Sequence, residues 1–205
     1  HCWSREEGIV LNHKRIWFFV LLITFITGIA SGEEIENWFH WNRGLQALNR
    51  GSFNEAKEEF EYYLRNPEIH RHMFGVAHFG KGLLFEKLKQ ENSALAEYEL
   101  AIQNDVHPTV MIKDKAYMNI GAIHLRNKDY QGAIKAYLKA VESNPQNGLA
   151  HYYLGLSYLR AGEIEKAEPE AEKAQKLGVA FTALKEGLDK VKNSNNKTNT
   201  KDKAQ

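Results

Sequence analysis

The 205-residue sequence predicts an all-α protein, a superhelix of stacked helical hairpins, and three observations predict it. The first is composition: there are only four prolines, Ala, Leu, Glu and Lys are plentiful, and Val, Ile and Thr cluster only in residues 16–30. That balance favours helix over strand. The second is internal repetition. From residue 37 onward a small residue in one apolar stretch is followed by a Gly or polar turn, then Ala, an aromatic four later, Ala three later, and often Pro. The third is the end of the repeats, where Phe181, Leu184, Leu188 and Val191 recur at intervals of 3, 4 and 3 residues. This is the apolar stripe of one amphipathic helix.

The clearest repeat covers residues 114–147, with Tyr117, Ile120, Gly121, Tyr130, Ala133, Tyr137, Ala140 and Pro145. The next, 148–181, holds Leu154, Gly155, Tyr158, Gly162, Ile164, Ala167 and Ala174, and Gly155 lies 34 residues beyond Gly121. This resembles the tetratricopeptide repeat, a helix-turn-helix unit of about 34 residues. Two weaker copies precede it. Residues 37–70 contain Gly44, Gly51, Phe53, Ala56 and Phe60, with Tyr63 where Ala is usual and Pro67 one position early. Residues 75–108 contain Gly82, Phe85, Ala94, Tyr98 and Ala101. Spacings of 38 residues from Gly44 to Gly82 and 39 from Gly82 to Gly121 predict lengthened connections near Glu68 to Phe74 and Val106 to Lys113.

Small residues allow two helices of a hairpin to cross closely, and the aromatics fill the space they leave. One repeat cannot bury its apolar face alone, so three or more must stack. The expected organisation is therefore a segment 1–32, a repeat domain 33–192 closed by a capping helix at 182–192, and a polar disordered tail, 193–205. Pro169 falls inside the expected second helix of the last repeat, where it removes a backbone hydrogen bond and should bend that helix unless it sits in the first turn.

Residues 16–30 carry no charge, follow His13, Lys14 and Arg15, and precede Gly32, Glu33 and Glu34. The run is short for a spanning helix and fits the apolar core of a secretory signal; a cleaved signal and a retained single-span anchor are both open. Either places the repeats outside the cytoplasm, in a periplasm-like compartment or on the outer side of a membrane, because the positive charge precedes the apolar run. No methionine precedes Met73, and initiation at a non-AUG codon at Val10 or Leu11 would leave a compact signal.

Several functions are set aside. Residues 33–192 hold 21 basic against 23 acidic side chains, which gives no basic face for nucleic acid. Cys2 is the only cysteine, so disulfides within the chain and Cys-ligated zinc are excluded. No Ser/His/Asp order, HExxH or phosphate-binding Gly loop can be placed on suitable elements, so neither catalysis, a cofactor nor a small-molecule substrate is expected. His70 and His72 form a lone HxH, a weak metal signal. His40, His78 and His151 share one repeat position, filled by Tyr117 in the third copy, and read as flat side chains packed between helices.

What remains is recognition of a protein or peptide partner. In the resembled family the first helices of successive repeats line a concave groove. Carried over, the inward-facing positions are Trp38, Trp41 and Leu45; Phe79 and Leu83; Met118, Ala122, Leu125 and Arg126; and Tyr152, Leu156 and Arg160. The chaperone-binding subclass places Lys and Asn in the first repeat of that groove, where this chain has Trp41 and Leu45, so the resemblance does not extend to that partner class. The same side chains also suit packing between helices, and Trp38 and Trp41 suit a membrane edge. The expected role is a scaffold or adaptor in assembly of an envelope or membrane complex; a permanent subunit of such a complex is the alternative.

Overall fold

The computed structural model describes residues 32–65, 70–106, 112–180, 184–191 and 193. The apolar run 16–30 with the rest of 1–31, Phe181, and the tail from 194 lie outside the described residues. Those described contain no strand. The helices are α1 (Gly32–Arg50), α2 (Phe53–Arg65), α3 (Phe74–Lys87, after a 3-10 turn, Arg71–Met73), α4 (Glu91–Gln103), α5 (Lys113–Arg126), α6 (Tyr130–Ser143), α7 (Gly148–Ala161) and α8 (Ile164–Lys176). A short helix, α9, covers 184–191. Consecutive helices pack antiparallel as four hairpins, each against the next. α1 begins five residues before the first repeat's expected start, and the long connections fall between α2 and α3 and between α4 and α5.

Each hairpin turns in the same way. The first helix ends in a left-handed residue, and the N–H that follows bonds the carbonyl five residues back: Ser52 to Ala47 at 2.8 Å, Gln90 to Phe85, Asp129 to His124 and Glu163 to Tyr158 each at 2.9 Å. This six-to-one bond satisfies a helix-end carbonyl that would otherwise be orphaned. The second helix then starts at once, and Asp129 caps α6 by accepting from the Gly132 N–H at 2.9 Å. Asn147 caps α7 in the same manner, accepting from Ala150 N–H at 3.2 Å.

The core is a column of rings over missing side chains. A Cβ on Gly44 would meet the Phe60 ring at 2.5 Å, one on Gly82 the Tyr98 ring at 2.4 Å, and one on Gly121 the Tyr137 ring at 2.7 Å. In the fourth hairpin the equivalent second-helix residue is Ala171, and the space beside Gly155 is taken by Leu184 of α9, 3.0 Å from a Cβ placed there. Leu184 and Leu188 are buried with Ala167, Ala171, Leu154 and Tyr158. The capping helix thus supplies the large side chain that the last repeat lacks. α8 runs through Pro169 without interruption. Pro169 and Glu165 are both exposed, so the Glu165 carbonyl that loses its helical partner lies at the solvent face.

Candidate functional site

The three histidines at one repeat position each meet a glutamate 19 residues on, across the hairpin. His40 Nδ1 lies 2.6 Å from Glu59, His78 Nδ1 2.8 Å from Glu97, and His151 Nδ1 2.6 Å from Glu170. Arg43 reaches Glu59 at 2.7 Å and Lys81 reaches Glu97 at 2.8 Å, so the first two repeats share a His-Glu-cation arrangement. The third repeat replaces the pair with Tyr117 and Ala136. Burial pushes the Glu97 carboxyl up, but hydrogen bonds from His78 and Lys81 outweigh it and hold the group below the usual glutamate range. The histidines therefore pack, His40 stacking on Tyr62 at 3.5 Å between centroids, and also tie the two helices of a hairpin. The glutamate partners share a register with one another in the sequence, and that shared register is the signal that would have found them.

His70 is buried against Tyr62 and Tyr63. Among the described residues no three His, Cys, Asp or Glu side chains converge on a metal position, and no helix is long and apolar enough to cross a membrane.

Of the predicted groove residues, Trp38 stands 61% exposed. Trp41 is half-buried between Phe60 and Phe79, at centroid distances of 5.5 and 6.3 Å. Phe79 is 7% exposed and packs on Tyr98, which makes it a core side chain with little surface to offer a ligand. Its helix lies between two others, and that face is covered. Leu45 and Leu83 come together in one cleft of about 610 Å³ between the ends of α1 and α3, with Leu48, Asn49, Glu86, Lys87 and Lys89. Met118, Leu125, Tyr152 and Leu156 are half-buried on the C-terminal core cluster, and Ala122 is half-buried beside them in α5. Arg126 and Arg160 are exposed.

Arg126 joins two repeats: its guanidinium donates to Glu86 at 3.1 Å and to Glu91 at 3.2 Å, while the Asn127 amide donates to Glu91 at 2.8 Å. The Asn127 amide first, and Arg126 second, hold the Glu91 carboxyl below its usual range. A second cleft, of about 640 Å³, opens at the second-helix side among α4, α5 and α6, with Ile102, Tyr117, Ile120, His124, Lys135 and Lys139 in its lining. It lies where the third repeat lacks the His-Glu pair.

Comparison with known proteins agrees with this geometry. Residues 118–178 match the tetratricopeptide repeat family. The chain is 26% identical over 133 residues to the TPR repeat-containing protein MJ1428 of Methanocaldococcus jannaschii, covering 65% of this chain and 22% of that protein. It is 33% identical over 118 residues to the mouse (Mus musculus) BBSome complex member BBS4, covering 57% of this chain and 21% of that protein. It thus spans about a fifth of the length of these relatives. MamA 41-end from Desulfovibrio magneticus RS-1 superposes with a TM-score of 0.53 at 23% identity, covering 70% of this chain and 76% of that one. That likeness is one of fold.

Proposed function

We propose that this tetratricopeptide-repeat solenoid is a non-catalytic scaffold that holds a peptide segment or helix of another protein along its first helices. The observation that supports it most is the row of half-buried apolar side chains, Trp41, Leu45, Leu83, Met118, Leu125, Tyr152 and Leu156, one or more on every first helix. Half-buried side chains are already fixed by packing, so covering their free faces costs little rotamer entropy. BBS4, a relative by sequence, is named as a member of a complex, in keeping with a role in holding proteins together.

The setting proposed is an envelope or membrane complex whose assembly the protein assists. Residues 1–32 act as signal or anchor, 33–192 as the repeat domain and 193–205 as a tail, and the partner is a protein, with no nucleic acid or small-molecule substrate. Capture of the native protein from gently solubilised membranes, with mass spectrometry of its partners and of its own N-terminus, tests this. A mature start near residue 31 with substoichiometric partners, lost on combining Tyr152→Ala with Arg160→Glu in a folded variant, is the expected result. The second reading, a permanent membrane-complex subunit, draws on the 61% exposure of Trp38, which follows the apolar run closely in sequence. It predicts an intact span and one stoichiometric complex.

A further inference from the structure

The four hairpin turns differ in their left-handed residue. Gly51 and Gly162 hold the left-handed position in the first and fourth repeats, with φ of +77° and +81°. The second and third use Lys89 and Lys128 there, with φ of +61° and +60°. An unbranched L side chain in this region is strained, and glycine would make the same turn without strain. The turn therefore does not explain the lysines; their side chains must. Both are exposed, and so is Lys87 at the end of α3. None of the three has an ion-pair partner or a side-chain hydrogen bond among the described residues.

Lys87 and Lys89 stand at the mouth of the cleft between α1 and α3, whose apolar lining is Leu45, Leu48 and Leu83. The one carboxylate there, Glu86, is already engaged: one oxygen accepts from the Tyr98 hydroxyl at 2.6 Å and the other from Arg126 at 3.1 Å. An apolar cleft with two exposed cations at its mouth, neither held in an ion pair among the described residues and only Lys89 sharing the field of Glu91, is complementary to leucine-type side chains flanked by carboxylates.

Building on the groove reading above, we infer that this cleft seats an acidic, leucine-bearing segment of a partner protein. The leucines lie on the half-buried Leu45 and Leu83, over the buried Leu48, and the carboxylates pair with Lys87 and Lys89, with Lys128 extending the same edge by one repeat. A nucleic acid fits less well, because three lysines are few phosphate contacts and the leucines have no counterpart on a phosphate backbone.

The test uses the full chain and fluorescence anisotropy with two labelled amphipathic helical peptides that share a leucine face, one with glutamates opposite and one with lysines. The acidic peptide is expected to bind about tenfold or more tightly than the basic one, with affinity falling as salt rises. Lys87→Glu combined with Lys89→Glu should remove that preference, and Lys89→Gly should weaken acidic-peptide binding with the melting temperature unchanged or raised. Equal affinity for the two peptides, no binding of either, displacement by a single-stranded oligonucleotide, or indifference to the lysine variants overturns the inference. The scaffold reading itself stands or falls separately, on partner capture by the Tyr152 and Arg160 variant.

Discussion

Three buried tyrosines show how one residue type does different work at equivalent depth. The Tyr63 hydroxyl donates to the Asn37 carbonyl, and the Tyr98 hydroxyl donates to Glu86 at 2.6 Å. The Tyr137 hydroxyl is buried and has no hydrogen-bond partner among the described residues, and its ring fills the space over Gly121. Burial pushes all three phenols well above the ordinary tyrosine value. An unsatisfied buried hydroxyl costs about 1–3 kcal/mol, whereas the ring supplies the packing. Tyr137→Phe should therefore leave urea stability unchanged or raise it by up to about 1 kcal/mol. Tyr98→Phe, which leaves a Glu86 oxygen without its donor, should lower stability by about 1 kcal/mol in the same titration. At this scale the sequence was readable where packing sets the residue, as with Ala133 and Ala140, both fully buried. It was less readable for polar pairs. The His151 to Glu170 bond joins residues 19 apart, and Glu on a helix that also bears Lys166 and Lys173 looks like any solvated face unless it is read in register with Glu59 and Glu97.

At the level of elements, period and turn made the helices legible, since every hairpin repeats one six-to-one turn bond and the first three repeat one Gly-over-ring contact. The contact is tight enough to test. Gly82→Ala would place a methyl 2.4 Å from the buried Tyr98 ring, and overpacking of this kind costs about 1–3 kcal/mol, read as a lower denaturation midpoint with an unchanged slope. The fourth hairpin has no ring at Ala171 and depends on Leu184 of α9 instead. Leu184 is 0% exposed, so Leu184→Ala should open a cavity and destabilise by about 2–5 kcal/mol, whereas trimming exposed Lys185 should change little. The apolar stripe predicted the capping helix, but not what it caps. That depends on the absence of a ring at Ala171 in the preceding helix, which becomes a vacancy only in the folded stack. Phe79 teaches the converse: a groove position by register became core because Trp41 and Tyr98 close on it from both sides.

Over the whole molecule, a solenoid is held by contacts between neighbours, so the stack persists only while successive repeats stay coupled. Several of those couplings are carboxylates. Glu91 receives Asn127 and Arg126 across the junction of the second and third repeats, and Glu163 receives Gln131 across the junction of the third and fourth. Asp129 caps α6 and contacts His124 at 2.8 Å. Each is held below its ordinary value: Glu91 chiefly by Asn127, Glu163 chiefly by Lys166, and Asp129 chiefly by the Gly132 N–H. A carboxyl depressed in the folded state contributes stability that is complete above its unfolded value and is lost as pH falls through the folded one. The window therefore opens at the ordinary glutamate value of 4.5 and extends downward. Thermal melts should hold steady above that pH and fall below it, with the transition broadening as junctions loosen before individual hairpins do. Combining Glu91→Gln with Glu163→Gln should lower the melting temperature at neutral pH and flatten its dependence on acid. A double variant that keeps the full acid sensitivity would place it in the other depressed carboxyls, Asp129 and Glu97.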